Sequence, residues 1–164
     1  DRALGHTNHR GANPGADQGA GASRGATTMR KRSEGLTFCD LGSGCGRLVA
    51  ASALLGSWKS CIGVEMMEGL AEIAAALKED TEKAALAETG GKVAPMEMIK
   101  GEFESAASLV AGADILFAYC TTFPSWGDLL TDLSQFLGEH AKPGAIVITT
   151  DKRLDGDLGP GMNG

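Results

Sequence analysis

Aromatic side chains are scarce in this chain: two Trp, one Tyr and five Phe among 164 residues. An aromatic-cored sandwich fits that supply poorly, whereas the abundance of Ala and Gly suits a packed α/β fold with tight turns. No stretch approaches the ~20 apolar residues needed to span a bilayer, so no membrane contact is expected. The first residues also lack the continuous apolar segment of a secretory leader. The chain begins with Asp rather than Met, as a piece of a longer protein would. Cys39, Cys45, Cys61 and Cys120 form no C-x-x-C pair. That pattern gives neither a disulfide framework nor zinc-ligand spacing, and points to a reducing, intracellular compartment. His6 and His9 are spaced H-x-x-H, but they sit in a polar, Gly-rich tract without partner ligands, so no metal is expected.

Charge is unevenly spread. Residues 1–35 hold six basic side chains (Arg2, Arg10, Arg24, Arg30, Lys31, Arg32) against three acidic ones, whereas the rest holds eighteen acidic and nine basic, a net −9. A basic arm on an acidic body fits weak contact with nucleic acid or chromatin; a solvated tail with incidental charge is the simpler reading. The same 35 residues are poor in large apolar side chains and cannot offset their ordering entropy by burial. They are therefore expected to be disordered, with a boundary near Gly35, a folded core over 36–153 and a flexible tail over 154–164.

Within the core, apolar patterning alternates between strand and helix. Strands are predicted at Leu36–Asp40, Ser60–Glu65, Met96–Ile99, Ala113–Tyr119 and Ala145–Thr150. Helices are predicted at Arg47–Leu55, with Leu48, Ala51, Ser52 and Leu55 on one side, and from Glu68 into the late eighties. Leu70, Ile73, Ala74 and Leu77 mark the apolar stripe of the second helix, and Leu129, Leu130, Leu133, Phe136 and Leu137 mark a third. Gly56 and Gly90-Gly91 act as stops. Compact apolar strands joined by helices are the grammar of a parallel, doubly wound (Rossmann-like) α/β sheet. No strand is predicted after Thr150.

The densest chemical signal is Phe38-Cys39-Asp40-Leu41-Gly42-Ser43-Gly44-Cys45-Gly46. A strand runs into a turn with glycine at three alternate positions, letting the backbone approach a ligand closely and the next helix pack on the strand. The loop reads G-x-G-x-G, one residue shorter than the dinucleotide-binding G-x-G-x-x-G. Glu65 ends the next strand, nineteen positions beyond Gly46. A carboxylate there offers two coplanar oxygens to the two hydroxyls of an adenosine ribose. Glycines used only for turning, with a surface Glu after a strand, are the alternative.

Asp40-Leu41-Gly42-Ser43-Gly44-Cys45-Gly46 followed by Gly63-Val64-Glu65 resembles motifs I and II of class I S-adenosylmethionine-dependent methyltransferases. Gly101-Glu102-Phe103 and Leu116-Phe117-Ala118-Tyr119-Cys120-Thr121-Thr122-Phe123 narrow the resemblance. They are similar to the non-SET histone lysine methyltransferases of the disruptor-of-telomeric-silencing type, over about residues 36–153. The resemblance implies a class I methyltransferase sheet, here without its sixth and seventh strands or the upstream helices of the lysine channel. It implies S-adenosyl-L-methionine as cofactor, a histone or nucleosome as partner and a nuclear location. Asp40, Gly42, Ser43, Gly44 and Gly46 would line the methionine end of the donor, and Glu65 would hold its ribose. Glu102, where the family has Asp, and Phe103 would bracket the adenine. Tyr119, where the family has Asn, and Phe123 would stand at the methyl-transfer site. Phe103 as plain core and Tyr119 as a buried strand residue are the structural alternatives, and Trp126 either covers the helix or lines a substrate channel. Met66 and Met67 read as core or pocket packing.

Gly44-Cys45-Gly46-Arg47-Leu48-Val49 also resembles the small mitochondrial lysine methyltransferases, whose chemistry is the same. Other readings are a methyltransferase for a small molecule or nucleic acid, a nicotinamide-dependent oxidoreductase, and a donor-binding module without activity. The absence of an Asn/Asp-Pro-Pro-Tyr/Phe run argues against an adenine N-methyltransferase, and the short glycine loop against the oxidoreductase. No general base is evident; His140 is expected to be solvent-exposed.

Overall fold

A computed structural model describes residues 28–156. After a helical segment over residues 28–33 (α1) come β1 (Thr37–Leu41), α2 (Arg47–Leu55), β2 (Ser60–Glu65), α3 (Glu68–Thr89) and β3 (Met96–Lys100). A 3₁₀ turn (Phe103–Ala106) leads to α4 (Ala107–Gly112), β4 (Ile115–Tyr119), a second 3₁₀ turn (Cys120–Thr122), α5 (Thr131–His140) and β5 (Ile146–Thr150).

The five strands form one parallel sheet in the order β3-β2-β1-β4-β5. The chain moves outward from β1 to β3, then returns to pair β4 on the other side of β1. The first two crossovers pack on one face and the next two on the other, as right-handed connections require when the direction of winding reverses. The sheet is therefore doubly wound, and β1 stands at the reversal point, where an open α/β sheet leaves a crevice.

Alternation along the strands sorts the core into two clusters. Phe38, Cys61 and Met96 face α2 and α3, meeting Val49, Ala50, Ala53 and Trp58. Cys39, Leu41, Ile62, Val64, Leu116 and Ala118 face the opposite way, onto Val110 of α4 and Leu133, Phe136 and Leu137 of α5. Each fully buried Leu or Val contributes roughly 1.5–3 kcal/mol. β1 and β2 are buried nearly throughout, whereas Ile146 and Ile148 of the edge strand β5 are exposed.

The structure departs from the sequence reading in several places. The expected boundary at Gly35 falls too late: α1 is ordered because Ser33 is buried, and its Oγ accepts the Ser57 N–H at 2.8 Å. Residues 1–27, with the expected disordered arm, its nucleic-acid contact and the His6/His9 pair, lie outside the described residues, as does the tail from 157. The start of that expected tail is anchored: Leu154 packs on the core and the Asp155 N–H reaches Ser134 Oγ at 2.7 Å. On α2 the buried face is Val49, Ala50, Ser52 and Ala53, leaving Leu48 and Leu55 exposed. Val49 and Ala53 slot into the sheet, and the helix is rotated by about one residue from the expected stripe. Ile73 of α3 is also exposed. α4 was not expected; its Ala-Ser-Leu-Val-Ala-Gly is too short for a helical period to register.

Candidate functional site

Asp40 lies on the face of β1 turned toward α2, level with Gly63 of β2 and Phe117 of β4. One residue on, the chain leaves the sheet. Gly42, Gly44 and Gly46 all have positive φ, of 75°, 56° and 78°. That repeated left-handed conformation is the physical reason for glycine at alternate positions. The Gly42 and Ser43 N–H groups both donate to Val64 O, at 2.8 and 3.0 Å, so the turn is sewn to β2 before α2 begins. Gly63 makes room for it: a Cβ there would lie 2.7 Å from Ser43 Oγ.

Glu65 is buried and completes the turn. Its Oε2 accepts the Gly44 N–H and its Oε1 the Met67 N–H, each at 2.8 Å. Two ligand-free lone-pair sites remain on a carboxylate that makes two such bonds. Asp40 is the contrast: only 3% exposed, it leaves Oδ1 without a hydrogen-bond partner. Burial, and after it the Glu65 carboxylate, push the Asp40 carboxyl up to about 7. A buried acid with an empty oxygen beside a second acid is a place that a cationic ligand completes.

Above Asp40 opens a cleft of about 350 Å³, lined by Asp40, Gly42, Ser43, Gly44, Cys45, Arg47, Leu48, Phe117 and Tyr119. Five of the expected residues thus share one cavity: Asp40, Gly42, Ser43, Gly44 and Tyr119. Tyr119 is 58% exposed at the rim, not the buried strand residue of the alternative reading. Gly46 lies behind the turn, where a Cβ would meet Met98 Cε at 2.9 Å. Cys45, Arg47, Leu48 and Phe117 were not expected here. Leu48 had been placed in the core stripe, and only the rotation of α2 turns it to the cleft.

Phe123, Phe103 and Glu102 approach from the α5 side. The Phe123 ring lies over Gly42, so close that a Cβ there would be 2.8 Å from Phe123 Cε1. Phe103 stacks on Phe123 with centroids 5.8 Å apart and planes 6° from parallel, and meets Phe136 edge-on at 5.3 Å. The His140 ring packs 4.8 Å from Phe136, so His140 is half-buried. Glu102 is exposed at the head of the 3₁₀ turn. The neighbouring Gly101 N–H donates to Glu65 O at 2.9 Å, so this turn stands next to the glycine turn. Met66 and Met67 are about 60% exposed and so do not belong to the core, because they follow β2 out of the sheet.

The turn that carries Phe123 is held from β5. Thr121 Oγ1 donates to Asp151 Oδ2 at 2.5 Å, and Lys152 Nζ donates to Phe123 O at 2.6 Å and to Thr121 O at 3.3 Å. Asp151 has φ 65°, which makes it the one non-glycine residue with positive φ among the described residues.

The family described as Histone methylation protein DOT1 matches residues 27–155, most of the chain. The chain belongs to this family. Among solved structures, the DOT1-family chain is similar to an RNA methyltransferase from Salinibacter ruber in complex with S-adenosyl-L-homocysteine. That pair shares 22% identity and a TM-score of 0.51, over 76% of this chain and 72% of the other. A methyltransferase from Thiobacillus denitrificans, also in complex with S-adenosyl-L-homocysteine, matches at 22% identity and TM-score 0.51, over 86% and 50%. An arsenic(III) S-adenosylmethionine methyltransferase from Chlamydomonas reinhardtii matches at 24% and 0.51, over 71% and 38%. These likenesses establish a class I methyltransferase fold for the DOT1-family chain, which spans half or less of the latter two proteins. No curated protein matches it.

Proposed function

We propose that the cleft at the end of β1 binds S-adenosyl-L-methionine and that the chain transfers its methyl group, with a histone-type protein lysine as the favoured acceptor. The observation that carries this reading is the unpartnered Asp40 oxygen on the cleft floor, one strand from the buried Glu65. Two acids so placed favour a cationic sulfonium ligand over its neutral thioether product.

When bound, S-adenosylmethionine supplies a methyl group already activated by the sulfonium. The residues of this chain then have to align and exclude water. Glu65 holds the turn through two backbone N–H groups and keeps lone pairs for ribose hydroxyls. Ser43 and Gly44 give the turn its close approach, and Glu102 and Phe103 stand where an adenine edge and face can be met. Tyr119 at the cleft rim and Phe123 against Gly42 are the side chains that would guide an acceptor. An acceptor amine must be neutral to attack, and an apolar wall lowers its pKa by desolvation. No general base is assigned.

The family match, the acidic body and the resemblance of Leu116–Phe123 support a protein lysine, and with it a histone or nucleosome partner and a nuclear location. A different acceptor, such as a small molecule, a nucleic acid or a non-histone protein, is favoured by one observation. Tyr119 stands where the resembled enzymes carry Asn, and it lines the cleft. Labelled S-adenosylmethionine supplied with nucleosomes, free histones or cell extract tests both readings. Label on histone lysine supports the first and label elsewhere the second. Absence of calorimetric S-adenosylmethionine binding would refute both.

A further inference from the structure

We propose that Trp126 is a recognition post for the acceptor, docking a lysine- or arginine-bearing polypeptide beside the cleft; this rests on the methyl-transfer reading above. The residue is 84% exposed, more than any other large apolar side chain among the described residues. It therefore neither covers the helix nor fills the core.

Its backbone is nonetheless fixed. The Trp126 N–H donates to Leu129 O at 2.9 Å and the Leu129 N–H to Trp126 O at 3.0 Å, closing a tight hairpin around Gly127 and Asp128. Gly127 has φ 62°, which lets so short a turn close. Ser125 Oγ donates to Gly127 O at 3.1 Å. Arg153 then fastens the hairpin to the end of β5: its N–H donates to Asp128 O at 2.9 Å, its carbonyl accepts the Leu130 N–H at 3.0 Å, and its Nε bonds Asp128 Oδ2 at 2.8 Å. Lys152 holds the carbonyl of Phe123, three residues earlier. An indole on an anchored turn loses little freedom on binding, which is why aromatic residues so presented dominate recognition surfaces.

Two observations choose the partner. Three residues of chain limit the Cα–Cα distance between Trp126 and Phe123 to about 11 Å, and the Phe123 ring lies on Gly42. The post is thus within a few side chains of the glycine turn. The net charge of the body argues against a polyanion as the natural guest. Residues 36–164 carry eighteen acids against nine bases. Lys152 is engaged with carbonyls and Arg153 with Asp128. Nucleic acid needs several free Lys or Arg to displace its counterions. A cationic side chain packs on an aromatic face, which the indole supplies, and the net −9 of residues 36–164 attracts it.

The test uses the full chain, a fluorescent short lysine-rich peptide as probe, and saturating S-adenosylhomocysteine. Trp126→Ala should weaken peptide binding about tenfold or more, the scale of losing an aromatic anchor. Trp126→Phe should keep most of it, and both variants should bind S-adenosylhomocysteine calorimetrically like the unsubstituted chain. Equal peptide affinity in Trp126→Ala overturns the proposal, as does no peptide binding by the unsubstituted chain, or preference for a single-stranded RNA oligonucleotide. Failure of the donor reading shows separately, as loss of S-adenosylhomocysteine binding in the unsubstituted chain.

Discussion

The amide of Gly44 donates to Glu65 Oε2 at 2.8 Å, tying the middle of the glycine turn to the end of the neighbouring strand. The other oxygen holds Met67, so each oxygen of the carboxylate accepts one backbone N–H. Glu65→Gln must point an amide NH₂ at one of them. Hydrogen bonds to a charged acceptor contribute roughly 1.5–3 kcal/mol each, so donor affinity should fall about tenfold or more, and the melting temperature should fall with it. Calorimetric titration with S-adenosylmethionine, beside a thermal melt, measures the two effects separately.

Gly42 and Gly44 share a backbone conformation but not a neighbourhood. Nothing lies within 4 Å of a Cβ built on Gly44, whereas one on Gly42 would strike the Phe123 ring. Gly44→Ala should therefore lose only the left-handed preference, about 1–2 kcal/mol, while Gly42→Ala should lose more. In a Phe123→Ala background the excess should disappear, which a double-mutant cycle of unfolding free energies reads directly. A bulkier change, Gly44→Val, should abolish donor binding, and retained calorimetric binding would defeat the assignment of the turn.

Asp40 gives a pH dependence of known sign. Its carboxyl titrates near 7 in the fold, above the 3.8 of the free side chain. The stability tied to its proton is thus full below about 4 and lost as pH rises through about 7. Asp40→Asn, neutral throughout, should melt higher than the unsubstituted chain at alkaline pH, by on the order of 1–4 kcal/mol. The gap should close in mild acid. Donor binding should run the other way: affinity for the cationic donor should climb through neutrality in the unsubstituted chain and stay low and flat in the variant.

Asp151 is strained where it stands, and its side chain holds Thr121. Asn tolerates the left-handed region and keeps an acceptor oxygen, so Asp151→Asn should leave the melting temperature nearly unchanged. Asp151→Val should lower it by the equivalent of about 1–3 kcal/mol and speed hydrogen exchange at the Phe123 amide, which bonds Cys120 O at the base of the turn.

Much of this architecture could be read from the residues. Strands that are apolar on both faces declare themselves as short dense runs, and Asp40–Gly46 with Glu65 announced the turn and its carboxylate because glycine spacing records backbone geometry. What stayed hidden depends on rotation and distance. Leu48 and Ile73 fit a helical stripe as well as the residues that are actually buried, since periodicity fixes a helix but leaves its azimuth open by one position. α4 is shorter than two turns. The hold of Lys152 and Arg153 on residues 121–130 spans some thirty positions, and no local pattern encodes it. The stacking of Phe103 on Phe123 was likewise invisible, although each residue had been singled out by itself.

The reversal of winding at β1 divides the molecule by chain segment. Residues 40–67 form the glycine turn, the proposed nucleoside seat, almost wholly from backbone and two carboxylates, locked to the β1–β2 ladder. Residues 120–130 hang from the far side, beyond the end of β4, fastened by side-chain and backbone hydrogen bonds from 151–153. That stretch can change length and chemistry while the seat stays as it is. On the methyl-transfer proposal, transplanting it from one such protein to another should redirect which molecule receives the methyl group.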